Sequence, residues 1–313
     1  MTQNSSKIPS YKSARGIGAR SFISNKNKYK YKKTPAAQRA AWEKRELLEA
    51  INLYGETYHA ARCFPYQPWL PMPAAAAERM QQGLTRRSCN SRHDCPVCTS
   101  KFMAEKREDF RLLMHHWVKD GGIVSLMSLN LRNRFLDPTW IKYNSLSATW
   151  TEMSKRYRFK QAKKSLGVHF VRVLEEVLTE DGWFPHFHVV WFFPKGTSSD
   201  ALGAFHKQVV EAWCEAANSK TPMGAEGNPQ HISTVDQNSH VPLSNYLFKH
   251  AFHDIKEKAH EKVLSPFNLV RILLASGYAD GWEFWRDFSD ASDGKTRVRF
   301  SSYLKNYLEE KES

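Results

Sequence analysis

The first residues able to do chemistry lie in the run Trp183-Phe184-Pro185-His186-Phe187-His188-Val189-Val190-Trp191-Phe192-Phe193. Along a β-strand, side chains alternate between two faces. His186 and His188 therefore project together, while Phe187, Val189 and Trp191 point the other way into a core. Two imidazoles side by side can ligate one metal ion. Just upstream, Asp181-Gly182 is a strong short hairpin signal that joins this run to a strand-like run at 168–178. With Asp181-Gly182 as a two-residue turn, Glu180 pairs with Trp183, Glu175 lies opposite His188 and Val177 opposite His186. Opposed side chains share a face with Cβ atoms ~5 Å apart, so Glu175 completes a His-His-carboxylate set. A slip of one residue would put Glu176 there instead.

A second group is Tyr246 and Lys249, three residues apart and hence on one helix face. A phenol is a poor nucleophile at neutral pH, because its pKa is about 10. A metal that polarises a target phosphate and a nearby cation such as Lys249 both help it attack. Taken alone, this spacing is equally that of a core-boundary tyrosine beside a solvated lysine.

A third group is the cysteine cluster. Cys95-Pro96-Val97-Cys98 is a knuckle whose tight turn lets two thiolates grip one zinc, and Cys89 is a third ligand. The fourth is Cys63 or His93, and spacing does not choose. A redox pair is the alternative, but three clustered cysteines without a surrounding βαβ pattern speak against it. Arg86, Arg87 and Arg92 stand ready for phosphates. Cys214 reads as a buried helix residue. Five cysteines are an odd number, which suits a metal site in a reducing compartment better than a disulfide framework. The expected location is cytoplasmic. No stretch approaches the ~20 apolar residues a membrane span needs, and the polar, basic N-terminus lacks the apolar core of a secretory signal.

The elements that must position these groups follow from periodicity. Residues 36–60 read as helix, 61–75 as a proline- and aromatic-rich loop, and 100–119 as a helix with Phe102, Phe110, Leu113 and Trp117 inward, ended by Gly121-Gly122. Residues 123–131 read as a strand, 139–164 as helix, 168–178 and 184–193 as the hairpin, 199–217 as helix, 230–235 as a strand and 241–259 as helix. This order predicts an α+β fold, with a central antiparallel sheet, helices on one face, the other face left for chemistry, and a small zinc-binding subdomain in front. The expected organisation is a disordered basic tail at 1–40, a helical and zinc-binding region at 41–120, the domain bearing the histidines and Tyr246 at 121–260, and a helical C-terminal region at 261–313.

The 313 residues carry a formal net charge of +14. Residues 1–40 contain ten lysines and arginines and no acid. Such a balance suits an acidic partner, and nucleic acid is the usual one.

Together these residues resemble the rolling-circle plasmid replication initiators of the HUH endonuclease superfamily, over about residues 85–305. The family's cysteine segment is matched by Cys89 to Cys98 and the helix that follows. Its first motif is matched loosely by Ser125-Leu126-Met127-Ser128-Leu129-Asn130-Leu131, with Ser128 and Asn130 where threonines are usual. Its second motif is matched by Leu174-Glu175 and by Asp181-Gly182-Trp183-Phe184-Pro185-His186-Phe187-His188, with Phe184 in place of the first histidine. This pattern also selects Glu175. Its third motif falls on Tyr246 and Lys249. One branch carries a glutamate four residues before the tyrosine, tied to the hydrolytic end of the cycle, and here that position is Pro242.

The resemblance implies a nicking enzyme of a plasmid's double-strand origin. Mg²⁺ or Mn²⁺ sits on His186, His188 and Glu175, and structural Zn²⁺ on the cysteines. Tyr246 forms a 5′-phosphotyrosine and frees a 3′-hydroxyl primer, and a host helicase and polymerase act as partners. Trp183, Phe184 and Tyr246 are candidates for stacking on unpaired bases. The rivals are an HUH transposase or relaxase, with Tyr303 and Tyr307 as an alternative nucleophile pair, and a non-enzymatic zinc DNA-binding regulator.

Overall fold

A computed structural model describes residues 35–55, 89–135, 137–225, 232–235, 240–248, 263–277 and 280–312. The basic tail before residue 35, the loop expected at 61–75, Cys63, Arg86, Arg87 and Lys249 lie outside the described residues.

The scaffold is α+β. In chain order it comprises α1 (Pro35–Tyr54), α2 (Pro96–Lys119), β1 (Ile123–Leu129), α3 (Thr139–Lys155), α4 (Tyr157–Ser165), β2 (His169–Thr179), β3 (Gly182–Phe193), α5 (Ser199–Lys220), β4 (Ile232–Val235), α6 (His240–Leu247), α7 (Pro266–Ser276), α8 (Trp282–Ser292), β5 (Val298–Phe300) and α9 (Ser302–Glu312). The strands lie in the order β4–β1–β3–β2–β5, and every neighbouring pair is antiparallel. The edge strand β5 comes from the C-terminal region.

Helices cover both faces of the sheet, not one as expected. The reason is legible in β3. It alternates buried and half-buried positions up to His186 and is buried at every position from Phe187 onward. A strand that is apolar on both sides needs cover on both sides. On one face Leu129, Leu174, Phe187, Val189 and Trp191 pack beneath α1, α3, α4, α5, α7 and α8, with Trp150, Phe205 and Trp213 filling the layer. On the other, Val124, Leu126, Val171, Val173, Val190 and Phe192 meet Phe110, Leu113 and Trp117 of α2, Leu243 and Leu247 of α6, and Leu304 of α9. The polar row Ser128, Glu175, His186 and His188 continues this second face beyond its apolar part.

Two helix boundaries differ from expectation. The helix after the cysteines begins at Pro96, where Cys95 serves as N-cap and its Sγ accepts the Cys98 N–H. Its far end stops before Gly122, where any Cβ would fall about 2.2 Å from the Trp117 indole nitrogen. The stretch expected as one helix over 139–164 is two, because Arg156 is extended (ψ 131°). The break lets α4 turn so that buried Phe159 meets Phe205 and Trp191.

Candidate metal and tyrosine site

The hairpin that builds the site pairs Thr179 with Gly182, so the turn residues are Glu180 and Asp181. Glu175 therefore lies opposite His186, and His188 opposite Val173, two residues out of register from the sequence-based count. The glycine explains the difference. Gly182 has φ +82°, whereas neither Glu180 nor Asp181 has positive φ, so the turn is not the type I′ that would place Asp-Gly at its centre. Glycine instead takes the left-handed position just after the turn. Thr179 closes it: its Oγ1 accepts the Asp181 N–H at 3.2 Å and donates to the Gly182 carbonyl at 3.0 Å. Because the displacement is even, every side chain keeps its face, and Glu175 still meets both histidines.

The Nε2 atoms of His186 (3.2 Å) and His188 converge on the same oxygen of Glu175, Oε2. Each imidazole is oriented from its other nitrogen. His186 Nδ1 lies 3.3 Å from the Phe184 carbonyl, and His188 Nδ1 lies 3.0 Å from Ser128 Oγ on β1. Such contacts fix ring orientation and leave Nε2 as the ligand atom. One ligand atom from each of the three residues lies within 4.8 Å of the others, a donor set that fits a single divalent ion. Burial would raise the Glu175 carboxyl, but the hydrogen bonds and charge of His186 and His188 outweigh it and hold Glu175 well below the ordinary carboxylate range. The group is thus an anion, the form a cation requires.

Tyr246, on α6, stands over this cluster. Its ring centroid is 5.3 Å from that of His188, and the residue is 44 % exposed. Burial, and then the negative charge of Glu175, push its phenol up to about 12. A cation among the three ligands would oppose the second of these effects.

The neighbouring Glu176 faces the other way and has a different job. Its carboxylate meets His93 Nδ1 at 2.8 Å and Arg297 Nη2 at 3.1 Å, with all three side chains buried. His93 Nε2 is also engaged, 2.9 Å from the Lys295 carbonyl. Both imidazole nitrogens are thereby taken, so His93 is not the fourth ligand of the cysteine cluster. Cys89, Cys95 and Cys98 do converge, with Sγ atoms within 4.8 Å of one another and Cys89 Sγ 3.7 Å from Cys98 Sγ. The latter matches the ~3.8 Å edge of a tetrahedron with metal–sulfur bonds of ~2.3 Å. The backbone N–H groups of Ser91 and Cys98 point at the Cys89 and Cys95 sulfurs, each at 3.5 Å, a contact that favours thiolates.

Other expectations are corrected by position. Trp183 is buried against Phe288, and its indole N–H donates to the Phe284 carbonyl, so it cannot stack on a base. Phe184 is half-buried and stacks on His186, with centroids 5.1 Å apart. Arg92 lies over the Phe102 ring, and Cys214 is only partly buried. Tyr303 stacks on His169 at 4.0 Å, six residues along β2 from Glu175 and so about 20 Å away. Tyr307 donates its hydroxyl to Asp120. The structure therefore does not bring this tyrosine pair to the candidate ligands Glu175, His186 and His188. Ser128 was not singled out for a role by sequence; the available signal was its parity with Leu126 on a strand expected beside the hairpin.

No protein-family model, curated protein or solved structure matches the chain. Among the described residues no helix is long and apolar enough to cross a membrane.

Proposed function

We propose that this chain is a cytoplasmic, metal-dependent DNA-nicking enzyme that initiates rolling-circle replication of a plasmid, with Tyr246 as its nucleophile. The observation that carries the reading is the placement of a half-exposed tyrosine ring 5.3 Å from one imidazole of a His-His-carboxylate cluster. The net charge of +14 suits a DNA substrate.

Glu175, His186 and His188 would hold Mg²⁺ or Mn²⁺, which supplies Lewis-acid polarisation of the scissile phosphate. Tyr246 gives up its phenolic proton and attacks the phosphorus. The new bond joins its oxygen to the 5′-phosphate, and the bond to the 3′-oxygen breaks. That oxygen leaves, takes up a proton and becomes the 3′-hydroxyl that primes a host polymerase behind a host helicase. Ser128 and the Phe184 carbonyl keep the imidazoles in their ligating orientation. Lys249, three residues after Tyr246 in sequence, would contribute positive charge to the phosphate. Cys89, Cys95 and Cys98 would hold structural Zn²⁺, with Cys63 the remaining sequence candidate for the fourth position.

The test uses 3′-labelled, random-sequence single-stranded oligonucleotides, because a 5′-phosphotyrosine retains the 3′ segment. Labelled protein is expected on a denaturing gel with Mn²⁺, and none with chelator or with Tyr246→Phe. An adduct of equal yield in Tyr246→Phe would discard the nucleophile. DNA binding that needs no Mn²⁺ and yields no adduct would favour a zinc-dependent binding module.

A further inference from the structure

Two arginines are set against each other in the sheet. Arg172 on β2 and Arg299 on β5 are directly opposed across an antiparallel pair, so their Cβ atoms stand ~5 Å apart on one face, and like charges so placed are destabilising. The face is the one beneath α3 and α4, because the flanking pairs, Val171 with Phe300 and Val173 with Val298, belong to the other core. On the same side, Arg297, two residues from Arg299, is answered by the buried Glu176 carboxylate. Among the described residues no carboxylate stands within ion-pair distance of Arg172 or Arg299.

Arg172 is only 7 % exposed. Its guanidinium carbon lies 4.8 Å from the Trp150 ring centroid and 4.2 Å from that of Phe187. These π-faces offset part of the cost of burial but offer no hydrogen-bond acceptor, and Nε is sealed from solvent without one. Burial, and then the positive charge of Arg299, push the group down to about 10. A third cation joins the pair. Lys163 of α4 lies over Phe170, with Nζ 5.6 Å from the ring centroid, and Phe170 is two residues from Arg172 on the same face of β2. Burial, and then Arg299, lower Lys163 as well. Trp150 closes the group, with its centroid 5.2 Å from that of Phe170. The helix that supplies Lys163 carries four lysines and arginines in nine residues and no acid, so it adds positive charge through exposed Arg158, Lys160 and Lys164.

We propose that Arg172, Arg299 and Lys163 form a phosphate-binding site on the α3–α4 side of the sheet, filled by a backbone phosphate of bound DNA. A phosphate is the occupant this set fits. A planar guanidinium can pin two anionic oxygens, and the neighbouring cations neutralise the remaining charge. The anion turns a repulsive cross-strand pair into a bridged one. The site lies on the opposite face of β2 from Glu175, because positions 172 and 175 differ by an odd number. It therefore takes a phosphate other than the scissile one and acts on affinity, not on the cleavage step. The anion chemistry stands on these residues alone, whereas DNA as the source of the phosphate rests on the nicking reading.

The experiment compares wild type, Lys163→Gln/Arg299→Gln, and Lys101→Gln/Lys207→Gln, which removes equal charge from two side chains that are each 80 % exposed elsewhere. Arg172→Gln would open a core position, so the outer two cations are changed instead. Thermal melting is followed as inorganic phosphate replaces chloride at constant ionic strength. A ligand of the folded state raises melting, while non-specific salt stabilisation acts on all three proteins alike. Wild type and the control are expected to gain melting temperature with phosphate beyond the gain of Lys163→Gln/Arg299→Gln. In phosphate-free buffer that variant should melt no lower than wild type, because a like-charge contact is gone. A lower melting temperature there, or an equal phosphate response in all three proteins, overturns the site. The DNA arm reads anisotropy of a short labelled duplex against salt concentration. The log–log salt slope should be shallower by about 0.9 for the one phosphate lost in Lys163→Gln/Arg299→Gln and not in the control. An unchanged slope, or an equal change in the control, overturns DNA as the source and leaves a site for free phosphate. The Tyr246 adduct is scored at saturating oligonucleotide and should match wild type. No adduct from any protein, with the phosphate response intact, removes the nicking reading and keeps the site; an adduct beside equal phosphate responses does the reverse.

Discussion

Adjacent glutamates on β2 are given opposite jobs by the pleat, and exchanging each for glutamine separates them. Glu176 is fully buried with Arg297 and His93 as its charged partners. Glutamine keeps the shape but removes the charge, leaving a guanidinium whose side chain is only 6 % exposed without its counter-ion. Breaking a buried pair from one side costs about 3–5 kcal/mol. At roughly 2 °C per kcal/mol for a chain of this size, melting should fall by about 6–10 °C. Burial would raise the Glu176 carboxyl, but the charges of Arg297 and His93 hold it below the ordinary range. A depressed carboxylate stabilises the fold above its unfolded pKa, and that contribution is lost as pH falls through the folded value. Wild type should therefore lose stability in acid more steeply than Glu176→Gln. Glu175→Gln should instead show weak Mn²⁺ binding by titration calorimetry, because the carboxamide lacks the charge that a cation among His186, His188 and this residue requires. The reasoning is refuted if Glu176→Gln melts like wild type, or if Glu175→Gln retains full Mn²⁺ affinity.

Three further outcomes are expected. Ser128→Ala removes the group that orients His188 through Nδ1 and should weaken Mn²⁺ binding about 10–100-fold, with little change in melting; calorimetry reads both. Hydrogen bonds from Lys311 and then Tyr307 hold the Asp120 carboxyl below its ordinary range. This tether of α9 to the end of α2 is present above the unfolded pKa and released as pH falls through the folded one. Limited proteolysis should cut near α9 more readily in acid, and Asp120→Asn should behave that way at neutral pH. Finally, Cys95 and Cys98 belong to the same buried cluster as the sheet, so a strong chelator or Cys98→Ser should lower the melting temperature and release about one equivalent of zinc by elemental analysis. Full stability without bound metal would show that the thiols merely pack.

Much of the site could be read from strand parity. Alternation alone put His186 and His188 on one face, and it kept Glu175 with them although the turn was misplaced, because the true register differs by an even number of residues. Periodicity also placed most elements, since apolar residues at strand or helix spacing must meet a core. It failed at Arg156, where packing of α4 on α5 outweighs the continuous helical pattern. It also misses the cover over the second face, which the unbroken apolar run after His188 requires.

By itself, the sequence determined the face of each strand residue, the cysteine knuckle and the basic balance, all of which depend on neighbours within a few positions. The tertiary structure decided what depends on distant segments. It brought Tyr246 over His188, set Ser128 of β1 behind that imidazole, and gave both nitrogens of His93 to Glu176 and Lys295, which removes it from the cysteine cluster. It also carried Tyr303 and Tyr307 to the far end of β2. Which groups meet across such separations is set by how the sheet buries its two apolar faces, and no local spacing encodes that.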